Sequence, residues 1–256
     1  MKILIPTRGR FHDQPTADLL AAAGIQFTLV LNWEDNTRYA YPSIRIHAAN
    51  IVQKRQTIIN RYGSDKLVML DDDMKFYWRL DNKFIRIGDS PSDKIELRSL
   101  FNRIERELDS FVHIGVASRF MAQNLDPECV TGGKYIRVLA YNFNLFNRRN
   151  DLAVRPAYRF PGHEDHDFNM QLQRMGYPNR VISCYAQEDY GQFASGGCAT
   201  WRTPASDLLE IKRFGSAWPS IISFGKPNEK YPGGRMKISW RKLRQYWKQP
   251  LTQTLV

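Results

Sequence analysis

The chain has 256 residues, of which 43% are hydrophobic, so it can bury a sizeable core and a disordered protein is excluded. Its 37 lysines and arginines outnumber the 26 aspartates and glutamates, which gives a net charge of +11. This charge favours a polyanionic partner such as nucleic acid, or an anionic membrane surface. Many basic proteins bind no particular anion, and that alternative stays open.

The cysteines and the apolar runs indicate the compartment. Cys129, Cys184 and Cys198 form no CxxC pair, which suits a reducing compartment and weighs against a zinc site. The short apolar run before Pro6 is too brief for a signal peptide, and no run reaches the ~18–20 residues of a membrane span. We expect a soluble cytoplasmic protein without membrane insertion.

Residues 1–75 alternate between predicted strands and helices. Strands are predicted at 2–6, 26–31, 43–47 and 66–70, and helices at 13–23 and 50–62. Asn50 is a plausible cap of the second helix, and Gly63 ends it. This order predicts an α/β fold with a single Rossmann-like mixed, mostly parallel sheet flanked by helices. Ligands are expected at the carboxyl ends of its strands.

The rest of the chain is less regular. The patterns predict a helix over 92–111, a strand over 115–121, one or two strands over 134–147, a helix over 165–175 and a strand over 181–185. Residues 226–256 hold eight basic residues and the single acid Glu229, which is +7 of the total +11. We therefore predict a main domain over 1–225 and a basic, aromatic-rich C-terminal extension over 226–256.

The first acidic cluster, Asp71, Asp72 and Asp73, follows a short apolar strand. Alternate side chains of a strand share a face, so Asp71 and Asp73 would point the same way and repel each other. Mg²⁺ or Mn²⁺ would relieve that repulsion, because these ions prefer hard oxygen ligands and keep positions open for substrate phosphates. The alternative is a solvated turn, since Asp is common where strands end.

The second acidic cluster is Gly-His-Glu-Asp-His-Asp-Phe at 162–168. Negative charge at a helix N-terminus can be simple capping. Five consecutive ionisable residues exceed what a cap requires, however. Near a metal–phosphate site, one of these carboxylates could act as a general base towards a hydroxyl group.

Together these motifs resemble the GT-A type glycosyltransferases. The resemblance rests on the strand and turn at 3–10, on Arg55 in a helix, on the DXD motif at 71–73, and on the Glu164-Asp165 pair that opens a later helix. It implies an enzyme, a hexosyl- or pentosyltransferase that uses a UDP-sugar donor and Mn²⁺ or Mg²⁺.

The resemblance also implies site residues. Nucleotide-sugar binding is implied for Thr7, Arg8, Arg10, Asn32, Arg55, Asp71 and Asp72. Metal binding is implied for Asp71 and Asp73. Many family members use a later histidine as a further ligand, but this chain has none after His166, so Glu188, Asp189 or water would take that place. Asp165 would deprotonate the acceptor hydroxyl with Glu164 beside it, and the metal would neutralise the departing diphosphate. The chain departs from the family in carrying Asn32 where Asp is usual and Gln56 where Asn is usual.

The small, basic chain also resembles the phage glycosyltransferases that decorate hydroxymethylated bases in DNA. Its tail interleaves basic residues with Trp240, Tyr246 and Trp247, a pattern that can bind phosphates and stack on bases, although a charge run is usually a solvated face. DNA binding is predicted for Lys237, Arg241, Lys242, Arg244 and Lys248. A target base in a duplex must then be turned out of the stack.

The leading hypothesis is therefore metal-dependent transfer of a sugar from a UDP-sugar to 5-hydroxymethylcytosine in phage DNA. The same fold acting on a polysaccharide, lipid or protein acceptor is the nearest alternative. A metal-dependent nuclease would explain two carboxylate clusters and a basic surface, but would leave the opening turn and Arg55 without a role. A nucleic-acid-binding module without catalysis would leave the carboxylate clusters unexplained.

Overall fold

The computed structural model describes residues 1–35, 39–63, 65–132, 138–149, 155–189, 204–227 and 235–246. Its strands are β1 (Lys2–Pro6), β2 (Thr28–Asn32), β3 (Ser43–Ile46), β4 (Lys66–Met69), β5 (Met74–Leu80), β6 (Lys83–Arg86), β7 (His113–Ser118), β8 (Cys129–Thr131), β9 (Leu139–Asn142), β10 (Arg180–Asp189), β11 (Ile222–Phe224) and β12 (Met236–Ile238). Its helices are α1 (Pro15–Ala22), α2 (Ile51–Tyr62), α3 (Pro91–Glu107), α4 (Arg119–Ala122), α5 (Phe143–Arg149), α6 (Glu164–Arg174), α7 (Pro204–Ala217) and α8 (Trp240–Arg244).

A 10-stranded mixed sheet organises the molecule in the order β3-β2-β1-β4-β9-β7-β10-β5-β6, with β8 paired to β10. The strands β3, β2, β1 and β4 are parallel, and β7, β10 and β6 run in the same direction. The strands β9, β5 and β8 run in the opposite direction. The predicted fold class is confirmed. We call the edge at which β1, β2, β4, β7 and β10 end the carboxyl edge.

Helices cover both faces of the sheet, so the central strands are apolar on both sides, as buried parallel strands are. Along β1, Ile3 and Ile5 pack in one cluster with residues of α1 and α3. The intervening Leu4 packs in a second cluster with residues of α2 and α6. Asn50 caps α2 by accepting a hydrogen bond from the backbone N–H of Gln53 at 3.0 Å, as the sequence predicts.

The sheet differs from the sequence prediction at several points, which include the unpredicted strand β8 and the extension of β10 to Asp189. The strand predicted over 115–121 ends at Ser118. The strands predicted over 134–147 are wrong beyond Asn142, whose side chain accepts a hydrogen bond from the backbone N–H of Leu145 at 3.0 Å and thereby helps to start α5. The β5–β6 hairpin was not predicted, although its turn residue Asp81 has a φ of 52°, a conformation that Asp tolerates.

The C-terminal part packs against α6 instead of standing apart from it. Strands β11 and β12 form a hairpin, and a third apolar cluster joins α6, α7 and α8. Trp240 is only 8% exposed within this cluster, so its predicted role in stacking on bases is wrong. Tyr246 is partly buried against the same cluster, and Trp247 lies outside the described residues. The division into 1–225 and 226–256 stays a prediction.

None of the helices within the described ranges is long and apolar enough to cross a membrane.

Candidate active site

The turn after β1 connects to the first acidic cluster through short polar contacts. Gly9 has a φ of 70°, which a residue without a side chain adopts readily, and the chain reverses there. The hydroxyl of Thr7 donates to Oδ2 of Asp72 at 2.5 Å. Nη1 of Arg10 lies 2.8 Å from Oδ1 of Asp72 and 2.7 Å from Oδ2 of Asp73. One arginine therefore pairs with two of the three aspartates.

Asp72 is the most enclosed of these aspartates. Burial raises its pKa to about 6, although Arg10 and Thr7 both favour the ionised form. A carboxylate held in this way fixes the opening turn to the end of β4, and we see this as its structural contribution.

Arg55 brings the two acidic clusters together. Its Nη2 donates to Oδ1 of Asp71 at 2.7 Å, and its Nη1 donates to Oε1 of Glu164 at 2.9 Å. The arginine is only 5% exposed. Residues far apart in the sequence thus meet at one guanidinium. We call the set Arg10, Arg55, Asp71, Asp72, Asp73 and Glu164 the arginine–carboxylate network.

The first turn of α6 holds two carboxylates in different states. Burial raises the pKa of Glu164 despite the nearby Arg55, and its Oε2 has no hydrogen-bond partner within the described part of the chain. Burial would also raise the pKa of Asp165, but His166 and Arg55 outweigh it and hold that pKa well below its usual range. Oδ1 of Asp165 accepts the backbone N–H of His166 at 2.7 Å and lies 3.0 Å from its Nδ1.

Aromatic rings pack next to Arg55, the partner of these carboxylates. Tyr158 stacks on Phe168 with the ring centroids 4.4 Å apart, and the Arg55 guanidinium lies 6.0 Å from the Tyr158 ring. The hydroxyls of Tyr141 and Tyr158 are 3.1 Å apart in the core. In such a weakly polarisable setting, removing one partner of an ion pair leaves a buried charge uncompensated, which typically costs ~3–5 kcal/mol. Removing a member of the buried Arg55–Glu164 pair would therefore destabilise the fold.

The profile of one protein family matches residues 1–187, and its description is TET-Associated Glycosyltransferase. The chain belongs to the TET-associated glycosyltransferase family. The matched segment contains the whole arginine–carboxylate network and the start of α6. The resemblance to glycosyltransferases of the group that modifies hydroxymethylated bases is confirmed, and the chain is a transferase of the glycosyltransferase class.

Other comparisons are more distant. No curated protein matches the sequence. Among solved structures, UDP-glucose pyrophosphorylase complexed with UDP-glucose is 9% identical, with a TM-score of 0.41 and coverage of 84% of this chain and 98% of that chain. CMP:2-keto-3-deoxy-manno-octonic acid synthetase complexed with CTP is 11% identical, with a TM-score of 0.38 and coverage of 71% and 88%. These similarities are too remote to bear on the function of this glycosyltransferase.

Two further residues that the sequence assigns to the nucleotide lie at the ends of neighbouring strands. Asn32 is buried at the end of β2, where its Nδ2 donates to the carbonyl of Ala48 at 2.7 Å. Its Oδ1 is buried without a hydrogen-bond partner among the residues described. Arg8 is exposed in the turn after β1, close enough to Glu34 for their charges to interact. Both positions suit ligand binding, and their roles stay predictions.

Lys54 is a site residue that the sequence analysis missed. Its Nζ donates to the carbonyl of Thr7 at 2.9 Å and to that of Val30 at 3.3 Å, which ties together the ends of β1 and β2. It is only 4% exposed. The sequence did contain a signal for Lys54. It directly precedes Arg55 on α2, and the apolar spacing of this helix predicts that the face with both residues packs against the sheet.

The metal ligands predicted from the sequence do not form a ready-made cage. Strand β4 ends at Met69 and the aspartates follow in a turn, so the expectation that strand alternation aligns Asp71 with Asp73 is wrong. Glu188 instead accepts a hydrogen bond from the Tyr77 hydroxyl at 2.6 Å and pairs with Arg119 at 3.2 Å. In the described ranges, no group of three or more His, Cys, Asp or Glu is placed to hold a metal.

This arrangement still fits a metal that arrives with a phosphate ligand. The side chains of Asp71 and Asp73 are 30% and 15% exposed, respectively, so their oxygens are not sealed in the core. Mg²⁺ is commonly bound by one or two carboxylates together with substrate phosphates, not by an all-protein cage. Asp71 and Asp73 are therefore the residues that fit the metal, and the third ligand stays a prediction.

The basic residues of the C-terminal segment lie at the surface. Lys237, Arg241 and Arg244 are exposed, and exposed Lys242 donates to the carbonyl of Ser220 at 2.7 Å. Lys248 lies outside the described residues. These side chains form a charged exterior over the apolar cluster of α6, α7 and α8, and DNA binding by them stays a prediction.

Proposed function

We propose that this glycosyltransferase transfers a hexose or pentose from a UDP-sugar to the hydroxymethyl group of 5-hydroxymethylcytosine in DNA, with Mn²⁺ or Mg²⁺ bound. The observation that carries the proposal is the meeting of the DXD aspartates with the Glu164–Asp165 pair at Arg55. A site of this kind can bind a charged leaving group and can place a proton acceptor near it at the carboxyl edge. Membership of the TET-associated family supports a DNA base as the acceptor.

The uridine part of the donor is proposed to bind at the ends of β1 and β2. Oδ1 of Asn32 is a buried acceptor without a partner in the described part of the chain, and such a group is costly to leave unsatisfied. The ring N–H of uracil is a donor that would satisfy it. Thr7 and Arg8 follow β1, the strand that pairs with β2, and are proposed to contact the ribose and the phosphates. Ligands of open α/β sheets bind outside the carboxyl ends of the strands, as this arrangement requires.

The diphosphate is proposed to lie over the arginine–carboxylate network. Asp71 and Asp73 would hold the divalent cation, which supplies positive charge to the departing diphosphate as a Lewis acid. Arg10 already contacts Asp73, so its guanidinium is placed to respond to the negative charge that the donor brings when it binds. Arg55 pairs with both Asp71 and Glu164 and thereby positions one carboxylate relative to the other.

The reaction is a displacement at the anomeric carbon. The acceptor hydroxyl oxygen forms the new C–O bond, the bond from the anomeric carbon to the diphosphate oxygen breaks, and UDP leaves with the electron pair. Asp165 is the proposed acceptor of the hydroxyl proton. Because its pKa is low, Asp165 is ionised and can accept a hydrogen bond from the start, and proton transfer is expected late, once C–O bond formation has made the hydroxyl acidic.

Mass spectrometry of modified DNA tests the proposal. The protein is incubated with Mn²⁺, a panel of UDP-hexoses and UDP-pentoses, and a duplex containing 5-hydroxymethylcytosine, which is then digested to nucleosides. We expect the mass of one sugar residue on the modified nucleoside only. The matched duplex with 5-methylcytosine is the control, because it lacks the hydroxyl. An unchanged nucleoside with every donor would overturn the DNA acceptor.

A further inference from the structure

Phe120 is the most exposed large apolar side chain among the described residues, with 83% of its surface accessible. It lies on the short helix α4, which begins directly after β7 ends at the carboxyl edge. Single exposed apolar residues are common and need no explanation by themselves. The position of Phe120 at the carboxyl edge and the charged residues near it are the reasons to examine it as a binding residue.

Basic residues gather around Glu188 and Tyr77, the two partners of Arg119, which directly precedes Phe120 in α4. The neighbouring Arg119 pairs with Glu188 at 3.2 Å, and its guanidinium lies 4.9 Å from the centre of the Tyr77 ring. These two contacts fix the arginine that directly precedes the exposed Phe120 in the chain. Lys75 and Arg86 belong to the same group, since Lys75 acts electrostatically on Glu188 and Arg86 on Tyr77. We call Lys75, Arg86, Arg119 and Phe120 the Phe120 surface.

This surface lies on the same face of the sheet as the proposed catalytic carboxylates. His113 and Ala117 point to one side of β7, and His113 pairs with Tyr141, which belongs to the cluster beneath α2 and α6. Ala117 packs with Tyr77 on that side. The start of α6 and the Phe120 surface therefore lie on one face, both at the carboxyl edge.

We propose that the Phe120 surface binds the DNA next to the acceptor nucleotide, with the Phe120 ring filling the gap that the acceptor base leaves in the stack. The inference rests on the proposed function for the identity of the acceptor. A base inside a duplex must be extruded before its substituent can react, and extrusion leaves an unstacked step. Apolar side chains inserted between base steps compensate for such unstacking in other DNA-binding proteins. The surrounding cations would contact the flanking phosphates.

The test compares Phe120→Ala and Phe120→Trp with the wild-type chain. Duplex DNA carries 5-hydroxymethylcytosine beside the fluorescent base 2-aminopurine, and a single strand of the same sequence serves as the second probe. We expect Phe120→Ala to weaken duplex binding at least tenfold, or about 1.4 kcal/mol, and to lose the fluorescence increase that reports unstacking. Single-strand affinity should fall less than duplex affinity, because extrusion of a base leaves a gap to refill only in a duplex. Phe120→Trp should retain both duplex signals.

Ile95→Ala is the matched control, since Ile95 is 55% exposed on α3 and lies outside the Phe120 surface. It should behave as the wild type. The double change Lys75→Gln and Arg86→Gln should flatten the dependence of duplex binding on salt by up to about 2 log–log units.

The outcomes separate this inference from the proposed function. Equal behaviour of Phe120→Ala and wild type on the duplex, or equal losses on duplex and single strand, overturns the role of Phe120 whatever the transfer assay gives. Phe120-dependent duplex binding without any sugar transfer supports the surface and overturns the proposed reaction. A wild-type chain that does not bind DNA overturns both.

Discussion

The carboxyl edge and the segment 235–246 both concentrate charge, but they hold it in opposite ways. At the carboxyl edge, Arg55 is almost fully buried and each of its two Nη atoms contacts a carboxylate. In the segment, Arg241 and Arg244 are exposed, while the aromatic Trp240 between them and the core is buried. One region places charges at fixed distances, and the other spreads them over a surface.

The difference indicates what each region can do. Buried, matched charges act at short range and set geometry, which is what bond-making requires. Exposed charges act over about a Debye length, attract polyanions and are screened by salt. Substitutions at the carboxyl edge should therefore change turnover and ligand affinity, and substitutions in the segment should change the salt dependence of DNA binding.

The largest effect is expected for Asp165→Asn. The fold and donor binding should persist, because Arg55 keeps its pairs with Asp71 and Glu164, but turnover should fall by ~10²–10⁴-fold with the loss of the general base. Single-turnover transfer to modified DNA measures this. Asp93→Asn, a change in the first turn of α3, is the control. A fall of less than tenfold would assign the proton to another group, and Glu164→Gln would then be the next variant.

The exposed charges of the segment are tested by changing Arg241, Lys242 and Arg244 to Gln together. Each phosphate contact contributes roughly 0.9 to the log–log salt slope, so the slope should flatten by up to about 2–3 units, and binding should weaken on all sequences. DNA binding at several salt concentrations gives the slope. UDP affinity should not change.

The control for this triple variant changes Lys2, Arg61 and Arg106, which lie at the start of β1 and in the last turns of α2 and α3. It removes the same charge elsewhere on the protein. If both triple variants flatten the slope equally, the segment contributes only to net charge and is not the DNA contact.

The pH dependence of folding stability tests the burial of His113 in the core. This histidine is fully buried below the Tyr141 ring, and burial lowers its pKa from 6.5 to about 4. Between these values the unfolded chain binds a proton that the folded chain does not, so this contribution to stability is full above pH 6.5 and is lost as pH falls towards 4. At pH 5 the loss is about 2 kcal/mol.

Urea unfolding at pH 7 and pH 5 measures that loss. In His113→Asn, the drop in unfolding free energy between the two pH values should be smaller than in the wild type by about 2 kcal/mol. Exposed His12→Asn is the control and should follow the wild type. An identical drop in both histidine variants would show that His113 titrates normally in the folded protein.

The smallest effect is expected for Asp73→Asn. Metal-dependent UDP affinity should fall at least tenfold, or about 1.4 kcal/mol, because one of two carboxylates proposed for the cation is lost. Affinity without metal should match the wild type, which separates a metal ligand from a residue that only anchors Arg10. Exposed Asp89→Asn should leave both affinities unchanged. An Asp73 variant with full metal-dependent affinity would remove Asp73 from the metal site.

The sequence predicted the first half of the fold well because local and tertiary preferences agree there. The strand at Lys2–Pro6 and the cap at Asn50 follow from hydrophobic period and side-chain chemistry alone. The prediction failed at Phe143, where a run that alternates like a strand becomes a helix because Asn142 offers its side chain to the next turn. The Nδ2 of Asn142 also donates to the distant carbonyl of Leu108 at 2.7 Å, so a tertiary contact orients the side chain that starts the helix.

The sequence named the members of the arginine–carboxylate network but not their pairings. Motif order identified Arg55, Asp71 and Glu164, yet contact between them depends on how α2 and α6 pack on one face of the sheet. Composition likewise revealed the basic segment but not the burial of Trp240. Spacing in a sequence indicates which residues share an element, whereas distances between elements are set by the packing of the whole core.

Titration of the wild-type chain with UDP by calorimetry, with and without Mn²⁺, tests the central claim most directly. The account predicts saturable binding of UDP that is at least tenfold tighter with Mn²⁺, because the cation would join the diphosphate to Asp71 and Asp73. CDP, whose ring nitrogen lacks the N–H proposed to reach Asn32, should bind more weakly under the same conditions. Equal UDP affinity with and without the metal, or no binding at all, would contradict the account.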